Sequence, residues 1–201
     1  AAVIVGLAAV WGQDVSAWGM DSGSNLGMLL AEIGEVPGNF RVRVGMMNPA
    51  TLFPVMDQVA GAFGRERIFS FFHLPVQSGS DAVLERMGRG YTAARALAIV
   101  ERFRTHCPGS TLHTDVICGY PGETEEEFRE TLAFLSRMQP DKVNVTRYSP
   151  RPKTPAARHK DMPDRFKKER SRILRAHAEK IARSRNEAWI GKEVLVLITE
   201  I

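Results

Sequence analysis

Strand-like apolar runs alternate with amphipathic helical stretches through most of the chain, and that rhythm leaves few folds open. The runs are Arg41–Gly45, Ile68–Leu74, Leu112–Gly119 and Lys142–Tyr148, with a weaker one ending near Trp11. Between them Leu26–Val36, Ser80–Met87, Thr92–His106 and Thr124–Met138 read as helices, with apolar residues at helical spacing or polar capping residues at their starts. Neighbouring parallel strands need a crossover that no tight turn can supply, and a helix supplies it. The pattern therefore predicts βαβ units on a parallel sheet. Four or five units are too few for a closed eight-stranded barrel. The expected fold is α/β, a partial (β/α) barrel of the TIM type.

Three junctions in this rhythm carry chemistry: HLPVQSGS at His73–Ser80, DVICGYPGET at Asp115–Thr124 and SPRPKTPAAR at Ser149–Arg158. Each joins a strand end to Gly, Pro and polar residues, where α/β barrels expose groups to a ligand. Gln77 and Ser78 offer donors and acceptors for a ribose or a carboxylate, and Gly79 permits close backbone approach. Ser80 and Asp81 are equally suited to capping the next helix. Gly119 and Gly122 bracket Pro121 in a turn that can present amides to an adenine or a phosphate, or simply cap a helix through Glu123 and Thr124. Asp115 lies within an apolar strand and needs a partner or a ligand. His73 is open to two readings, a satisfied core histidine or a base. Arg147 follows a strand and has the planar fork that suits a carboxylate. Arg43 and Arg89 are comparable, as ligand groups or as structural ion pairs. Gly12, Gln13 and Asp14 follow the weak first strand without a specific pattern of their own.

Charge is unevenly spread. Residues 151–185 hold 13 Lys/Arg against 4 Asp/Glu, a local +9, whereas the remaining 14 basic and 19 acidic residues leave −5. Such segregation fits either a polyanion such as RNA or a solvated helix face. Arg165–Ala188 reads as one long helix with Asp164 as N-cap and Phe166, Ile173, Leu174, His177, Ala178 and Ile181 facing inward. Ile190–Ile201 reads as the first strand of a second, small β domain, so residues 1–188 form the expected core and 189–201 the start of another unit. The two cysteines, Cys107 and Cys118, give no metal-ligand spacing and fit a reducing, cytoplasmic setting as packing residues. No run approaches the ~20 apolar residues of a membrane span. AAVIVGLAAV, without Met or a basic flank, reads as the interior of a longer chain rather than a leader.

Taken in order, GQDVSAWGMD, RVGMMNP, HLPVQSGSDAVLERMGRGY, DVICGYPGET and SPRPKTPAAR resemble the radical S-adenosylmethionine methylthiotransferases over roughly residues 9–158. RVGMMNP at Arg43–Pro49 is most similar to the archaeal and eukaryotic branch, which places a methylthio group on carbon 2 of threonylcarbamoyladenosine beside the tRNA anticodon. GKEVLVLITE looks like the start of the family's RNA-binding TRAM domain. The resemblance implies a 4Fe–4S cluster on a CxxxCxxC triplet that binds and reductively cleaves S-adenosylmethionine, and a second cluster on a preceding domain. It also implies tRNA as substrate and a protein that supplies electrons. Neither cluster's ligands are in this sequence, so the chain alone is expected to be inactive.

Carried over to matching positions, Gln13 and Asp14 would lie near the methionine end of the cofactor. Gln77, Ser78 and Asp115 would lie near ribose or methionine polar atoms, and Gly119, Gly122 and Glu123 near adenine. Arg147 would face the cofactor or a substrate anion. Two departures stand out. The first strand is shorter than the family pattern, which bears on the register of Gln13 and Asp14. Lys153 replaces a glycine in the Pro-rich turn, at a cost of about 1 kcal/mol if that position is left-handed. Rival readings are the isopentenyladenosine branch, another radical S-adenosylmethionine enzyme, and a cofactor-free RNA-binding module.

Overall fold

The computed structural model describes residues 6–193. Five strands, β1 (Gly6–Val10), β2 (Phe40–Val44), β3 (Phe71–His73), β4 (Thr111–Cys118) and β5 (Lys142–Arg147), are all paired in parallel. Single parallel bridges, Val42 to Ile68 and Met46 to His73, join β2 to the β3 side. Strand order in space therefore follows order in sequence, and the strands form an open arc. The connections are α1 (Leu26–Glu35), α2 (Pro49–Leu52), α3 (Met56–Phe63), α4 (Asp81–Arg86), α5 (Ala93–His106) and α6 (Glu125–Met138); α7 (Asp164–Glu187) follows the last strand. This is the expected partial barrel. Of the strand expected at Ile190–Ile201, Ile190 and Gly191 are instead a turn closed by the Lys192 N–H on the Trp189 carbonyl at 3.1 Å, and Val194 onward lies outside the described residues.

Alternation along β4 sets the two faces. Leu112, Thr114, Val116 and Cys118 are buried, and the three of these other than Thr114 share one core with Phe103, Phe128, Leu135 and Leu174 of the helices. His113, Asp115 and Ile117 point the other way and stay partly open. Full burial of each large apolar side chain contributes about 1.5–3 kcal/mol, so the helical face holds the sheet and the concave face is left free for polar groups.

Local sequence explains most helix ends. Thr124 accepts the Glu127 N–H while the Glu127 carboxylate accepts that of Thr124, a complete capping box at the start of α6. Asn25 and Thr92 cap α1 and α5. Helices α2 and α3 fill the stretch 46–67, to which the sequence reading assigned nothing beyond the resemblance; Asn48 as cap and Pro49 at the first helical position were the signal.

The long helix departs from expectation in two ways. Pro163 is its N-cap and Asp164 already lies inside it. Its buried stripe is Lys167, Ser171, Leu174, Ala178 and Ile181, whereas Phe166 and Ile173 are exposed. Lys167 enters the stripe because its ammonium reaches Asp161 at 2.8 Å and the Tyr148 carbonyl at 3.2 Å, so burial leaves it paired.

Lys153 has φ +67°. It follows Pro152 in a turn closed by Thr154 N–H to the Arg151 carbonyl at 3.3 Å, the arrangement of a type II turn, which favours glycine at that place. Lys153→Gly should raise stability by about 0.5–1 kcal/mol. Chemical denaturation checks it, and a loss of stability would contradict the strain.

Candidate functional site

The C-terminal ends of the five strands open on one rim. At β3 the ladder lapses at Pro75 and resumes at Gln77, whose N–H donates to the Asp115 carbonyl (2.8 Å) and whose carbonyl accepts from Ile117 (2.9 Å). Gln77 holds φ +65°, a left-handed conformation that a residue with Cβ rarely adopts. The segment is fixed from behind: the Tyr91 hydroxyl donates to the Val76 carbonyl at 3.0 Å and the Thr114 hydroxyl to the Leu74 carbonyl at 2.7 Å.

Gln77 lines a cavity of about 600 Å³ between the ends of β3, β4 and β5. Ile117 and Thr146, opposite each other in the ladder, line its floor. Tyr120 and Tyr148 meet edge to face with centroids 5.2 Å apart on its wall. Arg86, Arg89, Arg147 and Arg151 line it as well. Arg86 is taken by Glu127 in two hydrogen bonds of 2.9 and 2.7 Å. Arg89 has no carboxylate partner among the described residues, and its Nε is buried without a hydrogen bond. Sequence reading singled out Gln77, Arg89 and Arg147 but missed Ile117, Thr146 and the tyrosines. Strand parity two residues beyond Asp115 would have found Ile117.

Asp115 is half-buried on the concave face one step below. His73 Nε2 donates to its Oδ2 at 2.8 Å and Asn144 Nδ2 to its Oδ1 at 2.7 Å. Burial pushes the carboxyl up, but those two donors outweigh it and hold the group below the ordinary carboxylate range. His113 stands beside this chain, its ring 6.3 Å from that of His73, and burial followed by the Lys142 charge pulls its pKa down. Arg43 stacks over Phe71 at 4.7 Å, and among the described residues no carboxylate pairs with it.

Other candidates turn their side chains elsewhere. Ser78 is fully buried, its hydroxyl 3.1 Å from Thr131 Oγ1 and accepting the Ser80 N–H at 3.2 Å. Ser80 makes no side-chain cap; Asp81 instead accepts the Ala93 N–H at the start of α5. Asp14 spends its carboxylate on Ser16, Asn48 and Thr51, pinning the loop after β1 to α2. Glu123 accepts the Gly119 N–H at 2.8 Å and pairs with Arg170 of α7 at 2.5 Å. That amide is therefore satisfied within the turn. Gly122 has φ +77° with open space where a side chain would stand. Gln13 is exposed beyond β1. Arg147 reaches across to Asp164 at 3.1 Å while still lining the cavity rim. Gln77, Asp115 and Arg147 thus share one end of the barrel, with Arg147 turned partly toward α7.

Residues 20–135 match the Radical SAM superfamily. A probable threonylcarbamoyladenosine tRNA methylthiotransferase of Pyrococcus abyssi is 46% identical over 98% of this chain and 47% of its own length. A threonylcarbamoyladenosine tRNA methylthiotransferase of Thermotoga maritima is 38% identical over 94% of the chain and 43% of its own. The one of Homo sapiens is 35% identical, with 97% and 34% covered. The chain spans between a third and a half of the length of these relatives. Among solved structures, the coproporphyrinogen III oxidase of Escherichia coli, a radical SAM enzyme, superposes with a TM-score of 0.55 at 22% identity, covering 79% of this chain and 36% of that one.

Proposed function

Because the chain belongs to the Radical SAM superfamily, we propose that the longer protein it is part of is a threonylcarbamoyladenosine tRNA methylthiotransferase, with much of the S-adenosylmethionine site in this chain. The observation that carries the reading is the cavity at the ends of β3, β4 and β5, with Gln77 held left-handed at its edge. Its ~600 Å³ falls in the range of small-molecule sites. The orphaned Arg89 Nε fits an anionic or carbonyl group of a bound ligand. Gln77 would hold polar atoms of the nucleoside and Ile117 would floor the site. Gln13 would serve the methionine end, and the Gly119–Gly122 turn the adenine. Ser78, Asp14 and Glu123 would act from behind, by fixing the backbone that shapes the wall.

When bound, the cofactor supplies one-electron chemistry at carbon 2 of the base. The residues of this chain bind it, orient it and keep water away with the paired tyrosines. The ligands of an iron–sulfur cluster are not among the described residues, and this reading places them elsewhere in the longer protein. Among the described residues no group of His, Cys, Asp and Glu can hold a metal. Cys107 and Cys118 are both buried, and burial pushes the Cys118 thiol up to about 11, whereas a cluster needs thiolates. The partners we propose are tRNA and an electron-donating protein, in a reducing cytoplasm that suits two unpaired thiols. No helix among the described residues is long and apolar enough to cross a membrane.

In the full-length, cluster-reconstituted protein, Gln77→Ala should weaken S-adenosylmethionine binding about tenfold, the worth of one or two hydrogen bonds. Affinity for tRNA should not change. Equilibrium binding of each ligand checks both halves. Unaltered cofactor affinity would remove Gln77 from the site. A full-length protein that binds tRNA but no cofactor would favour the RNA-binding module, which the basic face of α7 supports.

A further inference from the structure

Along the outer side of α7, next to β5, runs a shallow groove of about 480 Å³ lined by Arg147, Lys168, Arg172, Arg175 and Glu179. Lys168, Arg172 and Arg175 are spaced four and three residues apart and so share one helix face over about 10 Å. Asp164 is divided between Arg147 at 3.1 Å and Lys168 at 3.0 Å. Arg172 and Arg175 are exposed and have neither a carboxylate nor a hydrogen-bond partner among the described residues. Unpaired like charges on one helix face weaken the helix slightly, so helix stability does not account for them. Behind them the helix is rigidly seated through Leu174, Ala178 and Ile181, with Arg170 locked to Glu123. The cations are therefore presented on a fixed element.

Arg147 lines both this groove and the cavity that holds Gln77. We propose that the groove is a track for the sugar–phosphate backbone of RNA, one that ends at the cavity rim. Guanidinium forks match phosphate oxygens two by two. An open, elongated strip of positive charge suits a polyanion better than a small anion, which needs an enclosing site. A strand lying on Arg175, Arg172 and Lys168 arrives at Arg147 with its next base facing the cavity, so that backbone contacts set the register in which a base is presented. The proposal rests on the tRNA reading above and adds the surface that reading lacks.

The test uses the full-length holoprotein and an anticodon stem-loop transcript, with Kd measured by fluorescence anisotropy across a salt series. Arg172→Glu with Arg175→Glu is compared with Arg137→Glu with Lys180→Glu, an equal change of charge outside the groove. The groove variant should bind at least about tenfold more weakly at low salt, and its salt slope should fall by about 2. The control should stay within about threefold of wild type, and S-adenosylmethionine affinity and melting temperature should hold in both. Equal losses in both variants would reduce the effect to net charge and overturn the track. So would a groove variant indistinguishable from wild type, or wild-type binding to anionic phospholipid vesicles in preference to RNA. A wild type that binds no RNA removes the tRNA reading itself, and the track with it.

Discussion

Gly79→Ala should cost about 3 kcal/mol and lower the melting temperature by roughly 6–12 °C for a domain of this size. A Cβ at Gly79 would overlap Phe134 Cβ and come within 2.8 Å of Thr131 Cα, on the backbone of α6. The neighbour that must give way is a helix whose Phe134, Leu135 and Met138 are buried in the core, so the shift spreads through packed side chains instead of ending at a flexible tip. The same approach of backbones lets the Gly79 N–H donate to Thr131 Oγ1 at 3.1 Å. Thr131 also meets the Ser78 hydroxyl, and its own hydroxyl reaches back to the Glu127 carbonyl at 3.2 Å. Pushing α6 away breaks these bonds in a buried place. Gly122→Ala is the useful contrast: its φ is +77° but nothing lies within 4 Å, so only backbone strain of about 1 kcal/mol is expected. Thermal and urea denaturation of the two variants check the pair. Gly79→Ala costing no more than Gly122→Ala would show that α6 yields freely.

That glycine also shows where reading the sequence stops. The HLPVQSGS segment was legible as a strand end with polar groups at a rim, and Gln77 is there. Glycine beside serines was read as room for a ligand, whereas the space is filled by α6. Both uses demand the same absence of Cβ, and only tertiary neighbours distinguish them. Strand and helix order was legible because period-2 and period-3.6 patterns are local properties. Lys167 was not, because its burial depends on Asp161 and the Tyr148 carbonyl meeting it from another segment. Asp14 and Glu123 lie on strand-end loops, but the direction of a carboxylate is decided by donors far along the chain: Thr51 for one and Arg170 for the other. Asp115 was read as needing a partner, and His73 and Asn144 supply it.

Glu123→Ala should destabilise the fold by about 3 kcal/mol, because it leaves a mostly buried guanidinium and a buried amide without their acceptor. The Glu123 side chain is 1% exposed and that of Arg170 12%. Glu125 at 3.5 Å and the Phe128 ring 5.0 Å away retain part of the Arg170 charge stabilisation, which keeps the loss from being larger. Burial raises the Glu123 pKa, and the Gly119 amide and Arg170 offset this only in part. Taking two charges out of water offsets much of what their attraction returns, so removing both partners together should be far milder than removing one. Glu123→Leu with Arg170→Met is expected within about 1 kcal/mol of wild type, well below the sum of the single changes. A raised carboxyl binds its proton more tightly folded than unfolded. Wild type should then gain stability relative to Glu123→Gln as the pH falls from neutrality toward the ordinary glutamate value near 4.5, and lose that gain as it rises. Urea midpoints of wild type, Glu123→Leu, Arg170→Met, the combination of these two, Glu123→Gln and Glu123→Ala across that range measure both effects. A double change about 3 kcal/mol less stable than wild type, or a pH trend of the opposite sign, would show that the link between the GYPGET turn and α7 is stabilised by charge rather than merely satisfied by it.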